Sequence, residues 1–499
     1  LSMYDQNHLL HRLSAAGHPA AAFATRPGLP DVSYGDLFSG AERIAAALVQ
    51  AGLAPGDRVA VQVGKSIEAI QLYLGTVMAG GIFLPLNTAY TGAEMGYFLA
   101  DATPSVVVCD PSQAADLAPR APEAAHFTLA PDGSGTLADT AAAQTSFDAV
   151  PRGADDLAAI LYTSGTTGRS KGAMLSHANL ASNSETLRDF WGFTARDMLI
   201  HALPIFHTHG LFVATNVALL AGSSVHVLPG FDAEAILSAM PSATALMGVP
   251  TFYTRLLDHT GLTRETASNM RIFISGSAPM LTDTHEKWQA RTGHPVIERY
   301  GMTETNMNTS NPPDAPRPGT VGLPLPGVEL RIMADGQPVP QGEIGVIEVR
   351  GPNVFQGYWQ MPEKTAQELR PDGWFITGDQ GVMDDDGYVT IVGREKDMII
   401  TGGFNVYPKE VEIVIDAIPG VRESAVIGLP HPDFGEAVVA VVVRSDDSLI
   451  QAAIAAGLKD RLARFKHPKH ILFLPDLPRN TMGKVQKKTL RDAYTTLFS

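Results

Sequence analysis

Along most of the chain, apolar runs of four to eight residues alternate with stretches in which apolar positions recur every three or four residues. Residues 59–63 form a run of the first kind, and residues 66–78 an amphipathic helix of the second. The short-run pattern returns at 104–109, 157–162, 223–228, 245–248 and 270–275. Short strands separated by helices predict parallel sheets covered on both faces, because a parallel crossover needs a long connection. After about residue 320 the rhythm changes to β-rich pieces at 328–332, 345–350 and 388–392, the last following the turn Asp384-Asp385-Asp386-Gly387. This predicts a distorted barrel or mixed sheet closing a large domain. A boundary is expected near Gly393-Arg394-Glu395-Lys396-Asp397. Beyond it, helices at 406–417 and 449–462 and strands at 421–428 and 437–444 predict a small βαβ-like unit. Residues 114–143, rich in Ala, Pro and Gly, read as a surface excursion.

Composition narrows the function. With 45% hydrophobic and 18% charged residues among 499, the chain can bury a large core, which excludes intrinsic disorder. A net charge of −15 argues against nucleic acid or an anionic membrane as a general partner. The charge is uneven: residues 459–491 hold ten Lys and Arg against Asp460 and Asp476. A basic segment facing an acidic body suits anionic small molecules. The one cysteine, Cys109, excludes a disulfide framework and lies in an apolar run, where a buried structural role is expected. The opening residues do not read as an export signal, and His207, His209 and His226 interrupt the apolar stretch around 211–221. The expected location is cytoplasmic.

The strongest local signal runs from Leu161 to Gly172 and includes Thr163, Ser164, Gly165, Thr166, Thr167, Gly168 and Lys171. Glycines let backbone approach an anion, hydroxyl and N–H groups donate to phosphate oxygens, and Lys171 supplies charge. It is not a Walker A loop, because Ser170 stands where that motif needs glycine.

With this loop in place, the chain resembles the adenylate-forming acyl-CoA synthetases over nearly its whole length, from Tyr34 to Lys484. Tyr300-Gly301-Met302-Thr303-Glu304 is similar to the family's ATP and magnesium motif, which implies Thr303 near phosphate and Glu304 as a Mg²⁺ ligand. Gly276-Ser277-Ala278-Pro279 and Glu298-Arg299-Tyr300 resemble the segments that hold adenine and line the acyl pocket. Asp379, joined by Arg394, matches the carboxylate on the ribose. Lys396 matches the hinge, Gly402-Gly403 the loop lining the CoA tunnel, and Lys484 the catalytic lysine. The resemblance implies a large domain over 1–393, a hinge at 394–396 and a small, mobile α+β domain over 397–499. It also implies ATP, Mg²⁺ and CoA, with rotation of the small domain between two half-reactions.

The acid pocket is expected from residues 206–210 and 248–255, which carry His207 and Arg255, together with Ser277 and Met302. A fatty-acid pocket would be apolar, whereas His207, Arg255, Ser277 and Arg299 are polar. A second carboxylate on the substrate needs a charge partner, and arginine can hold it with two parallel hydrogen bonds. These segments resemble the malonyl-CoA synthetases, which implies malonate, with methylmalonate as a second acid, and Arg255 and Ser277 on the distal carboxylate. His207 is expected to line or gate the pocket; with no third ligand nearby, a zinc role for His207 and His209 is disfavoured. The alternative is a ligase for a short- or medium-chain monocarboxylic acid. An amino-acid-activating domain would be expected to carry a pocket aspartate that is missing here, no carrier-protein module is expected after Lys484, and a binding-only protein would not need Lys171, Glu304, Asp379 and Lys484 together.

Overall fold

The computed structural model describes residues 4–163, 170–278, 280–401, 404–459, 461–462, 464–480 and 483–499. Among them the chain forms four sheets. The first has six strands in the order Ala125–Thr128, Val106–Cys109, Arg58–Gln62, Ile82–Pro85, Leu157–Thr163 and Lys171–Ser176. All its neighbours are parallel except the last pair, an antiparallel hairpin in which Thr163 faces Lys171. The second sheet has nine strands. Its parallel centre comprises Val296–Met302, Ile272–Ser275, Ala245–Gly248, Met198–His201, Ser224–Val227 and Ala22–Arg26. Buried apolar runs dominate these strands, as expected where helices cover both faces.

Residues 114–143 differ from the sequence expectation. They contribute the edge strand Ala125–Thr128 and the helix Thr136–Ala142, and Leu117, Leu129 and Leu137 are fully buried. Short apolar anchors among many small residues hide the periodicity that would have marked these elements. Cys109 closes the neighbouring strand; burial, helped by Asp110, pushes its thiol up to about 11.

The β-rich segment closes as a five-stranded antiparallel sheet, ordered Gln337–Pro338, Glu329–Ala334, Gly345–Arg350, Phe375–Met383 and Val389–Arg394. The fourth sheet centres on Gly435–Arg444, which pairs antiparallel with Val421–His431 and parallel with His470–Leu474. Alternation there is strict: Val438, Ala440 and Val442 enter one apolar cluster, and Val439, Val441 and Val443 enter another on the opposite face. The predicted helix at 406–417 begins later, as Pro408–Asp416 after a strand Phe404–Val406. Proline at the first helical position keeps Tyr407 extended and sets that start.

The large apolar cluster draws on residues from Tyr4 to Val389, and the two small clusters on residues from Ile399 onward. Between them runs the short 3₁₀ turn Glu395–Asp397.

Candidate active site

Loops leaving the carboxyl ends of parallel strands meet over a cavity of about 760 Å³, the place where open α/β sheets gather ligand-binding groups. Thr163 comes from the first sheet. His207 follows Met198–His201, Ser277 follows Ile272–Ser275, and Met302, Thr303 and Glu304 end or follow Val296–Met302. Lys171, Arg299, Arg394, Lys396 and Lys484 complete the expected wall. The cavity therefore joins residues more than 300 positions apart. Ser164, Gly165, Thr166, Thr167 and Gly168, and likewise Pro279, Gly402 and Gly403, lie outside the described residues.

At one end Lys171 sits 4.3 Å above the Tyr358 ring and 3.4 Å from Glu368. The Tyr358 hydroxyl is within hydrogen-bond distance of both Glu304 (2.9 Å) and Glu368 (2.5 Å). Burial pushes the Glu304 carboxyl up, against the pull of Tyr358 and Lys171. Burial acts the same way on Glu368, but Lys364, 2.7 Å away, with Tyr358 and Lys171 holds it below the usual range. Tyr358, Lys364 and Glu368 also line the cavity and were missed in the sequence, where they carry no motif of their own.

A second group holds Asp379 beside this cavity. The Tyr300 hydroxyl donates to its Oδ2 at 2.5 Å, and Arg394 lies 3.3 Å from its Oδ1. Burial, then the Asp379 charge, drives the Tyr300 phenol well above its ordinary range, so it stays a donor. Lys396 is pushed down to about 8 by burial and by Arg394. Lys484 is pushed down to about 8 by burial and by Arg394, with Asp379 opposing.

Arg299 also lines the cavity. It is 4% exposed, and its Nε and Nη2 have no hydrogen-bond partner. Gly276 makes room for it, since a Cβ there would fall 2.2 Å from the guanidinium carbon. The next residue, Ser277, adopts φ +72°, a strained value for serine that fits a functional wall. Its Oγ is 3.4 Å from His209 Nδ1. Burial and the charges of Arg299 and Lys484 push His207 down to about 4, so its ring is neutral near pH 7. No group of three or more metal-ligating His, Cys, Asp or Glu occurs among the described residues.

The loop carrying His207 rests on Lys65, a half-buried lysine that no sequence motif marks. Lys65 Nζ lies 2.8 Å from His201 Nδ1 and donates to the His201 and Leu203 carbonyls at 2.6 and 2.8 Å. His201 Nε2 then reaches Gly210 O (2.9 Å) and Thr215 Oγ1 (3.0 Å) inside the π-helix His209–Thr215. Such wide turns recur at functional sites, and here one shapes the pocket floor.

Two expected residues lie elsewhere. Arg255 is on the exposed side of Pro250–Leu257, 5.6 Å above the Phe231 ring, and does not line the cavity. Thr251, one turn earlier, points its side chain toward Gly483 instead. Glu298 is buried behind the wall, where its Oε1 accepts the Met280 N–H and its Oε2 lies 3.0 Å from His285. It does not line the cavity.

This combination of sheet ends, cationic cavity and lysine-bearing hairpin defines an adenylate-forming architecture. The chain belongs to the AMP-binding enzyme family: the family's main domain matches residues 12–359 and its C-terminal domain residues 410–484. Among solved structures, ATP-bound MatB from Rhodopseudomonas palustris is 59% identical over 99% of this chain and 100% of its own, with a TM-score of 0.97. The apo form of that protein, at the same identity and coverage, gives 0.87. A malonate–CoA ligase from Arabidopsis thaliana is 34% identical over 96% of this chain and 87% of its own. A feruloyl-CoA synthase from an Amycolatopsis species is 37% identical over 95% and 96%. No helix among the described residues is long and apolar enough to cross a membrane.

Proposed function

We propose that this chain joins malonate to coenzyme A through a malonyl-adenylate, using ATP and releasing pyrophosphate and AMP. The observation that carries the reading is Arg299, a buried guanidinium that lines the cavity with Ser277 and His207 and has two nitrogens without a hydrogen-bond partner. A dicarboxylate satisfies it; a monocarboxylate leaves it unpaired. The similarity to malonate–CoA ligases supports the same acid. Methylmalonate, one methyl larger, is the second acid of this reading, and feruloyl or other monocarboxylates leave Arg299 without a role.

In the first half-reaction a malonate oxygen attacks the α-phosphorus of ATP, and the bond to the bridging oxygen breaks. Lys484 contacts the carboxylate and α-phosphate oxygens, offsetting the repulsion between two anions. Tyr300, Asp379 and Arg394 hold the ribose; Thr163, Lys171 and Thr303 meet the phosphates, with 164–168 completing that loop. Glu304 and Thr303 offer hard oxygen donors that fit Mg²⁺, which when bound neutralises phosphate charge. In the second half-reaction the CoA sulfur attacks the acyl carbon and AMP leaves. We assign 1–393 to the large domain, 394–396 to the hinge centred on Lys396, and 397–499 to the small domain, whose Gly402-Gly403 loop then lines the CoA path. The higher TM-score against the ATP-bound neighbour than against its apo form supports an arrangement here like that of the ATP-bound form. The partners are malonate, ATP and CoA, and the single buried cysteine suits the reducing cytoplasm.

The test is ATP- and CoA-dependent AMP release with malonate, methylmalonate, acetate and octanoate. Malonate is expected to exceed acetate in kcat/KM by about 100-fold, the value of a well-placed charge contact. Acetate or octanoate as the better substrate would overturn the assignment.

A further inference from the structure

Among the described residues, several cations of the basic segment at 459–491 are paired within the chain. Of its ten, Lys466, Arg479, Lys487, Lys488 and Arg491 pair with carboxylates of the chain itself. Two of these pairs flank Lys484. On the incoming side, Arg479 pairs with Glu423 of the strand Val421–His431 and donates from Nη1 to the Gly483 carbonyl at 2.8 Å. On the outgoing side, Lys487 pairs with Glu412 of the helix Pro408–Asp416. Glu412 is 7% exposed and its Oε1 also accepts the Val426 N–H at 2.9 Å. Across the turn, Asn480 N–H donates to the Lys484 carbonyl and Lys484 N–H to Asn480 Oδ1, both at 2.9 Å. Gly483, at φ +77°, closes it. Neither Glu412 nor Glu423 lines the cavity.

We propose that Glu412 and Glu423 are positioning residues that clamp the two ends of the Lys484 hairpin to the small sheet. Lysine is a flexible side chain, and on a loose turn its ammonium would sample many places; a displacement of about 1 Å at a reacting centre can cost about 100-fold in rate. Anchored at both ends, the hairpin carries Lys484 as part of one rigid body whenever the small domain moves. The inference rests on the reading of Lys484 as the adenylating lysine.

Because Lys484 serves only the first half-reaction in that reading, the clamp has a readout that general destabilisation would not give. Glu412→Ala, Glu423→Ala and the double variant are made in the full chain. Adenylation is followed by malonate-dependent ATP–pyrophosphate exchange, and the second step by mixing preformed malonyl-adenylate with CoA. Each single change is expected to lower the exchange kcat about tenfold, and the pair about 100-fold, with KM values for ATP and malonate within about twofold. Thioester formation is unchanged, and Glu423→Asp recovers most of the exchange. Normal exchange in the double variant, or equal loss of both half-reactions, overturns the clamp. Lys484→Ala is run alongside: if it too exchanges normally, the role of Lys484 falls and the clamp with it. If it abolishes exchange while the glutamate variants do not, the clamp alone falls.

Discussion

Replacing Arg299 by methionine separates substrate recognition from stability. The guanidinium is buried, and burial pushes it down to about 9 with only Tyr253 pulling the other way. Two of its donor nitrogens have no partner. In the malonate complex, two charge-assisted hydrogen bonds at about 1.5–3 kcal/mol each give about 3–6 kcal/mol, or at least about 100-fold in kcat/KM. Acetate makes neither bond, so its kcat/KM changes by less than about threefold. In the free protein the unpaired donors cost about 1–3 kcal/mol each, and an apolar side chain of similar length relieves that cost. Arg299→Met is therefore expected to raise the melting temperature by a few degrees while it removes malonate activity. The assays are AMP release with each acid and thermal unfolding of both proteins. An equal loss with malonate and acetate, or a lower melting temperature with malonate activity retained, would refute the reasoning.

Further outcomes follow from the same geometry. Burial lowers the Lys484 pKa to about 8, so its cation is present below that pH and lost above it; the adenylation rate should fall as pH rises through about 8, and Lys484→Arg should move that limb beyond the measurable range. Tyr358→Phe removes the hydroxyl between Glu304 and Glu368 and is expected to raise KM for MgATP about tenfold, measured at saturating malonate. Arg255→Ala should cost malonate turnover at least about tenfold less than Arg299→Met, because Arg255 lies on an exposed helix face; the reverse order in kcat/KM would show that it turns into the cavity. Lys396→Pro should spare pyrophosphate exchange and slow thioester formation, and equal loss of both would count against a hinge there.

Much of this site was legible because its chemistry is local in sequence. Gly301 to Glu304, and likewise Leu161 to Thr163 with Lys171, line the cavity from short stretches of sequence, and residues 245–248 are a strand with the predicted bounds. What escaped the sequence is what depends on tertiary distance. Tyr358 meets Glu304 across 54 positions, and Lys65 meets His201 across 136, with no periodicity linking either pair. The resemblance points to Arg255 as the clamp, whereas burial of Arg299 and exposure of Arg255 favour Arg299. The basic run at 459–491 looked ready for phosphate, yet Glu410, Glu412 and Glu423 neutralise part of it from other elements.

The most direct test of the account is malonate-dependent ATP–pyrophosphate exchange in the absence of CoA. The account predicts exchange with malonate alone, because the adenylate forms before the thiol enters, and little with acetate. Exchange that requires CoA, or that acetate supports as well as malonate, would contradict it.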